Sequence, residues 1–162
     1  MSTSPPKDPD TKPCHHARAP LPMHAPKQQQ GHVFEQHACT FLEAQGLLCL
    51  AQNWQQAGAG EIDLIMLERG AAWDTIVFVE VRQRRVSRYG DALSSVTRKK
   101  QQKIIKTARH FLQQHPQYAE YECRFDVLGY DATPATATHY GSEPTSDVLP
   151  LWVQGAFMAD AW

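Results

Sequence analysis

Carboxylates stand within two stretches of the sequence that are otherwise apolar. Glu61 and Asp63 belong to Gly-Glu-Ile-Asp-Leu-Ile at residues 60–65, and Glu80 belongs to Phe-Val-Glu-Val-Arg at residues 78–82. A carboxylate buried without a partner is costly, and two beside each other repel. A divalent cation such as Mg²⁺ or Mn²⁺, which prefers oxygen ligands, removes both costs. The pattern therefore predicts a metal site of the kind that assists hydrolysis.

The spacing of these residues predicts how two strands would present them. Side chains two residues apart share one face of a strand, so Glu61 shares a face with Asp63, and Glu80 with Arg82. The connection at residues 69–74 is short enough for a hairpin, which makes the two strands antiparallel neighbours and brings Asp63 towards Glu80. An alternative reading is a structural ion pair, in which Glu80 binds Arg82 or an arginine of a neighbouring strand.

Positive charge is concentrated directly after these strands. Ten of the sixteen Lys and Arg residues lie between Glu80 and His110, where Glu80 and Asp91 are the only acids, giving a local balance of +8 in a chain of net charge −1. Such a segment is the footprint expected for a phosphate backbone. The alternative is a solvated helix face.

A helical wheel over residues 95–115 divides this segment. Lys99, Lys106 and Arg109 point away from its apolar stripe, whereas Lys100 and Lys103 flank the stripe on the side that could reach a sheet. The stripe consists of Ile104, Ile105, Ala108, Phe111 and Leu112. The helix predicted to start the fold, which Gly46 ends, similarly places Glu35 at the edge of its apolar stripe.

The remaining organisation predicts one α/β domain, a mixed sheet flanked by helices, in the order α-β-β-β-α-β-β. Residues 1–30 hold seven of the eleven prolines and are predicted to be a disordered tail. Residues 31–158 form the domain, within which 131–147 are a flexible loop, and 159–162 are a short C-terminal tail. The cysteines have no Cys-x-x-Cys spacing and are predicted to be free thiols. The absence of a signal peptide or a long apolar run predicts a cytoplasmic location without membrane association.

An ordered set of motifs identifies the chain as similar to one family. The set is Gly31-x-x-x-Glu35, Asn53-Trp54, Gly60-Glu61-Ile62-Asp63-Leu64-Ile65, Phe78-Val79-Glu80-Val81-Arg82, Gly90, Val96 with Lys100, Arg124-Phe125-Asp126-Val127, and Trp152 with Ala156-Phe157. It resembles the YraN-like family of endonuclease-like proteins, which is similar to Holliday-junction resolvases and belongs with the restriction-endonuclease-like, PD-(D/E)xK fold. The resemblance covers residues 31–130 and 148–158.

The resemblance implies a three-layer sandwich and a role for each site residue. Asp63 and Glu80 match the metal-binding acids, the backbone carbonyl of Val81 would be a further ligand, and Glu35 matches a helix-borne glutamate near the site. Arg82 stands where the fold usually carries a lysine. Arginine stays protonated and cannot act as a base at ordinary pH, so this departure bears on catalysis.

The function expected from these observations is a Mg²⁺- or Mn²⁺-dependent endonuclease acting on structured or branched DNA. Arg84, Arg85, Lys100 and Lys103 would bind the flanking DNA backbone, and a homodimer is compatible with the resemblance. Two alternatives remain: a non-catalytic nucleic-acid-binding accessory protein with a vestigial metal site, and an interaction domain without a nucleic-acid role.

Overall fold

The computed structural model of the chain describes residues 26–85, 96–132 and 149–159, and for residues 26–30, 84–85 and 131–132 it describes the backbone alone. Its helices and strands follow the predicted order. They are α1 (Pro26–Ala44), β1 (Leu48–Gln56), β2 (Gly60–Glu68), β3 (Thr75–Arg85), α2 (Arg98–Gln114), a single 3-10 turn (Pro116–Tyr118), β4 (Glu122–Ala132) and β5 (Leu151–Phe157).

Two boundaries differ from those predicted. Helix α1 begins at Pro26, earlier than the predicted start near Gly31, so the last residues of the predicted tail are helical. Proline suits the first turn of a helix because the backbone N–H it lacks has no partner there. Strand β4 extends to Ala132, two residues into the predicted loop. The predicted disorder of residues 1–25 and the remainder of that loop, residues 133–147, lie outside the described residues.

The five strands form one mixed sheet in the order β1-β2-β3-β4-β5. The predicted hairpin of β2 and β3 is confirmed, with antiparallel pairs running from Glu68 opposite Thr75 to Leu64 opposite Val79. Strands β3 and β4 are parallel. Parallel neighbours need a crossover, and α2 lies within the connection between them.

The two helices cover opposite faces of the sheet. The α1 face contains Leu64, Val77 and Val79 from the strands, and the α2 face contains Ile76 and Phe78. Alternate residues of β3 thus enter two separate cores, as expected for a central strand buried on both sides. Neither described helix is long and apolar enough to cross a membrane.

Strands β2 and β3 separate where the acidic residues begin. Among the described residues their ladder ends at Leu64 and Val79. Beyond that point β2 pairs with β1, and β3 continues alongside β4 as far as Arg85. We call the separated ends, residues 60–63 of β2 and 80–85 of β3, the fork.

Candidate functional site

Asp63 lies at the base of the fork and is 8% exposed. Its Oδ2 accepts a hydrogen bond of 2.7 Å from the backbone N–H of Val81. The carboxylate thus satisfies a β3 donor just beyond the end of the β2–β3 ladder. Burial and the nearby charge of Glu80 raise the pKa of Asp63 to about 7, against the opposing effect of the Val81 hydrogen bond. Asp63 therefore binds a proton unusually readily for an aspartate.

Glu80, on the other side of the fork, is 3% exposed and contacts two cations. Arg82 Nε lies 3.1 Å from Oε1, and Lys100 Nζ lies 3.2 Å from Oε2. Neither Glu80 Oε2 nor Arg82 Nε has an aligned hydrogen bond within the described part of the chain. Burial raises the pKa of Glu80, and the charges of Lys100 and Arg82 oppose that rise. The ion pair of the structural reading is therefore present, with one cation beside each carboxylate oxygen.

The first turn of α2 carries Lys100 to this carboxylate. Thr97 caps the helix, and its hydroxyl accepts a hydrogen bond of 3.3 Å from the Lys100 backbone N–H. Arg98 and Lys99 precede Lys100, and the turn contains no acid. The N-terminus of a helix is its positive end, so three cations there are unfavourable unless negative charge faces them. This local conflict marks the turn as suited to an anion.

Gly60 explains how α2 approaches the fork so closely. A Cβ at this position would lie 3.2 Å from Thr107 Oγ1 and 3.8 Å from Lys103 Cβ, and the φ of Gly60 is +144°. Lys106 adds a hydrogen bond of 2.9 Å from its ammonium to the Gly58 carbonyl. The glycine of the Gly-Glu-Ile-Asp motif thus lets the helix pack against β2 and hold Lys100 beside Glu80.

Glu35 brings a third carboxylate from α1. Its Oε2 accepts a hydrogen bond of 2.8 Å from Asn53 Nδ2, and His32 Nδ1 lies 3.7 Å from the same oxygen. Asn53, with a φ of 50°, sits where β1 passes Asp63. The charge of Glu35 contributes to the raised pKa of Asp63. The sequence prediction that Glu35 approaches the site therefore agrees with its position.

The predicted residues separate into two groups. Asp63, Glu80, Arg82 and Glu35 surround the fork, whereas Lys103 is exposed on α2. Lys100, predicted to bind the DNA backbone, contacts Glu80 in the structure. For Arg84 and Arg85 the structure describes the backbone alone. The backbone N–H of Val81 donates to Asp63, and the role of its carbonyl as a metal ligand stays a prediction. Among the described side chains, no three of His, Cys, Asp or Glu converge as metal ligands.

A third buried acid, Asp126, was not predicted from the sequence as a buried residue. It is 0% exposed, on the same face of β4 as Leu128 and thus towards α1. Its carboxylate accepts hydrogen bonds from Arg124 Nε (2.9 Å) and Nη2 (3.1 Å), Trp152 Nε1 (2.9 Å) and the Gly155 backbone N–H (3.0 Å). Arg124 and Asp126 are two residues apart, a spacing that could have indicated the pair.

Comparison with known proteins places the chain in a family. The model of a family described as "Uncharacterised protein family UPF0102" matches residues 34–129. A UPF0102 protein of Psychrobacter cryohalolentis is 54% identical over 151 residues, covering 88% of this chain and 88% of that relative. One from Pseudomonas syringae pv. tomato is 43% identical, covering 81% of this chain and 94% of the relative. One from Alcanivorax borkumensis is 38% identical, covering 86% and 100%. The chain therefore belongs to the UPF0102 (YraN-like) family, as the sequence motifs predicted.

Proposed function

We propose that this chain is a divalent-metal-dependent endonuclease of restriction-endonuclease-like, PD-(D/E)xK fold that hydrolyses phosphodiester bonds in structured or branched DNA. The observation that carries the proposal is the fork, where Asp63 and Glu80 are both buried and Glu80 Oε2 has no aligned donor in the described part of the chain. The mixed sheet, with these acids on adjacent strands and a helix on each face, supports the fold assignment.

The residues of the fork suit a Mg²⁺ or Mn²⁺ ion. Asp63 and Glu80 supply two buried carboxylates, and the carbonyl of Val81 would add a third oxygen. Magnesium sites in proteins are commonly held by one or two carboxylates together with water and substrate phosphate, so a third acidic ligand is not needed. A bound divalent ion would lower the pKa of a water molecule and neutralise charge that develops on the phosphate.

Arg82 and the basic first turn of α2 would act on the DNA itself. Arg82 is partly exposed, with 33% of its side-chain surface accessible, and its guanidinium stays charged at every relevant pH. We assign to Arg82 the binding of the scissile phosphate, whose oxygens match the planar guanidinium group of arginine. The basic first turn of α2 supplies the positive field into which the phosphate backbone would enter.

Cleavage of defined DNA substrates tests this proposal. The full chain is incubated with four-way-junction, single-stranded and duplex DNA in Mg²⁺, Mn²⁺ or EDTA. Wild type should cleave in Mg²⁺ or Mn²⁺ and not in EDTA. Asp63→Asn and Glu80→Gln should lose orders of magnitude in cleavage rate while still binding DNA. Glu120→Gln, an exposed acid after α2, is the matched control and should cleave as wild type does. Absence of metal-dependent cleavage in wild type on all three substrates would refute the proposal.

One observation favours a second candidate, a non-catalytic nucleic-acid-binding accessory protein. Arg82 occupies the usual lysine position and already contacts Glu80, so two cations of the chain neutralise the acid that would hold the metal. This candidate predicts salt-sensitive DNA binding without cleavage and no Mn²⁺ binding by calorimetry. Failure to bind DNA at low salt would instead support an interaction domain.

A further inference from the structure

Two cations contact the Glu80 carboxylate, and the chain delivers them differently. Arg82 projects from the same strand as Glu80, and its backbone pairs opposite Gly129 in the centre of the sheet. Lys100 reaches the carboxylate from a helix, with 27% of its side-chain surface exposed. The two cations therefore reach Glu80 from different elements, Arg82 along the strand and Lys100 from the helix.

The charges around the fork do not balance without further ligands. Asp63, Glu80, Glu35 and Glu61 contribute four negative charges when ionised, against two positive charges from Arg82 and Lys100 among the described side chains. A divalent cation would cancel this excess, and a phosphodiester would then face the cations of the first turn of α2. The site thus has the charge for a metal, provided that both cations of the chain remain nearby.

The contact of Lys100 with Glu80 is one that the lysine can give up. Lys100 Nζ lies 3.2 Å from Oε2 in an ion pair whose lysine side chain is 27% exposed, so water weakens the contact and can replace it. The ammonium ends a flexible stem with four carbons, whereas Thr97 and the packing at Gly60 hold the backbone of α2 in place. The side chain can therefore turn while the helix stays fixed.

We propose that Lys100 is a further catalytic residue. Its ammonium pairs with the Glu80 carboxylate in the metal-free protein. When a divalent cation binds, the ammonium leaves that carboxylate and contacts the scissile phosphate. This assignment rests on the proposed function. In this assignment the catalytic ammonium comes from α2, at a residue 20 positions after Glu80, and not from the position of Arg82. It also makes Lys100 a competitor of the metal before it becomes a partner of the substrate.

Competition and catalysis give opposite effects in one variant. Lys100→Met keeps the length of the stem and removes the charge. Calorimetry without DNA should show Mn²⁺ binding tightened by roughly three- to tenfold, since a cation that competes for Glu80 is gone. The cleavage rate at saturating Mn²⁺ should nevertheless fall by at least ~10-fold. Arg109→Met, which removes an exposed cation from the same helix at a position that the wheel directs away from the sheet, is the matched control and should change neither quantity.

The remaining outcomes separate this inference from the proposed function. Lys100→Arg keeps the charge, so it should bind Mn²⁺ as wild type does and retain part of the cleavage rate; it serves as the second variant if Lys100→Met does not fold. Weaker or unchanged Mn²⁺ binding in Lys100→Met would overturn the inference, and so would a cleavage rate in that variant equal to the wild-type rate. Cleavage by the wild-type chain would in both cases still support the nuclease proposal. Wild type that neither binds Mn²⁺ nor cleaves would overturn both.

Discussion

Two buried acids, Asp126 and Glu80, lie on opposite faces of one sheet in contrasting surroundings. Asp126, on the α1 face, accepts four hydrogen bonds that satisfy both of its oxygens. Glu80 contacts α2 on the other face and has two cations nearby, but its Oε2 lacks an aligned donor among the described residues. Asp63 accepts one backbone hydrogen bond and has a pKa raised to about 7.

The contrast separates a structural acid from a site acid. Strand β5 deviates from regular pairing opposite Asp126, where Gly155 adopts a φ of 58° and turns its N–H to the carboxylate. The irregularity in β5 thus supplies one of the four hydrogen bonds that Asp126 accepts. In the fork, by contrast, two strands part and leave an acid pair incompletely satisfied. Buried polar groups left in that state are costly, and they concentrate where a ligand completes them.

The largest expected effect is on stability, and it distinguishes the two acids. Asp126→Ala should lower the free energy of unfolding by about 3–5 kcal/mol, because it removes the acceptor of four donors, from Arg124, Trp152 and Gly155, and leaves Arg124 paired with Glu68 alone among the described residues. Glu80→Gln should change it by less than ~1 kcal/mol or raise it, since it removes a repelling charge. Urea denaturation of the metal-free chain measures both. Equal losses in the two variants would contradict the distinction.

A smaller effect should appear in the pH dependence of stability. The pKa of Asp63 is raised in the folded chain from 3.8 to about 7, so between these values the folded state binds more protons than the unfolded state. The free energy of unfolding should therefore fall as pH rises from 4 to 8, by roughly 2–4 kcal/mol from this residue. Asp63→Asn removes the titrating group and should flatten the profile. A wild-type profile that rises over this range would contradict the burial of an incompletely satisfied acid.

The smallest effect concerns a single donor to Asp126. Trp152→Phe keeps an aromatic ring but removes the Nε1 donor, leaving three hydrogen bonds on the carboxylate. The free energy of unfolding should fall by about 1–2 kcal/mol, the usual cost of one lost bond to a buried charged group. DNA cleavage should be unchanged because Asp126, to which Trp152 donates, lies on the α1 face of the sheet, opposite Glu80. A loss of cleavage without a loss of stability would link the two faces.

The sequence predicted the elements and the acid pair because both follow from short-range patterns. Two apolar, β-forming segments and a short connection between them were sufficient to predict the hairpin, which the register confirms. The unexpected acids Asp63 and Glu80 were visible because they interrupt apolar strands. Family motifs, in turn, predicted the family that the comparisons confirm.

What could not be predicted depends on contacts between distant segments. The wheel placed Lys100 near the sheet, but its contact with Glu80 depends on how far α2 advances over Gly60. The four-donor arrangement on Asp126 needs a bulge in β5 that no local pattern encodes. The start of α1 at Pro26 does not follow from the sequence pattern, because a stretch rich in proline and glutamine is typical of a disordered tail as well as of a first helical turn.

The end of the β2–β3 ladder at Leu64 and Val79 also orders the folding of the chain. The hairpin above this point closes a short loop, and such contacts form early because little chain entropy is lost. Glu80 and the residues after it pair only with β4 among the described strands, and the chain reaches β4 only after passing through α2. We therefore expect the acid pair to be completed late, once the parallel strand has docked, so that a partly folded chain does not yet hold the two carboxylates in place.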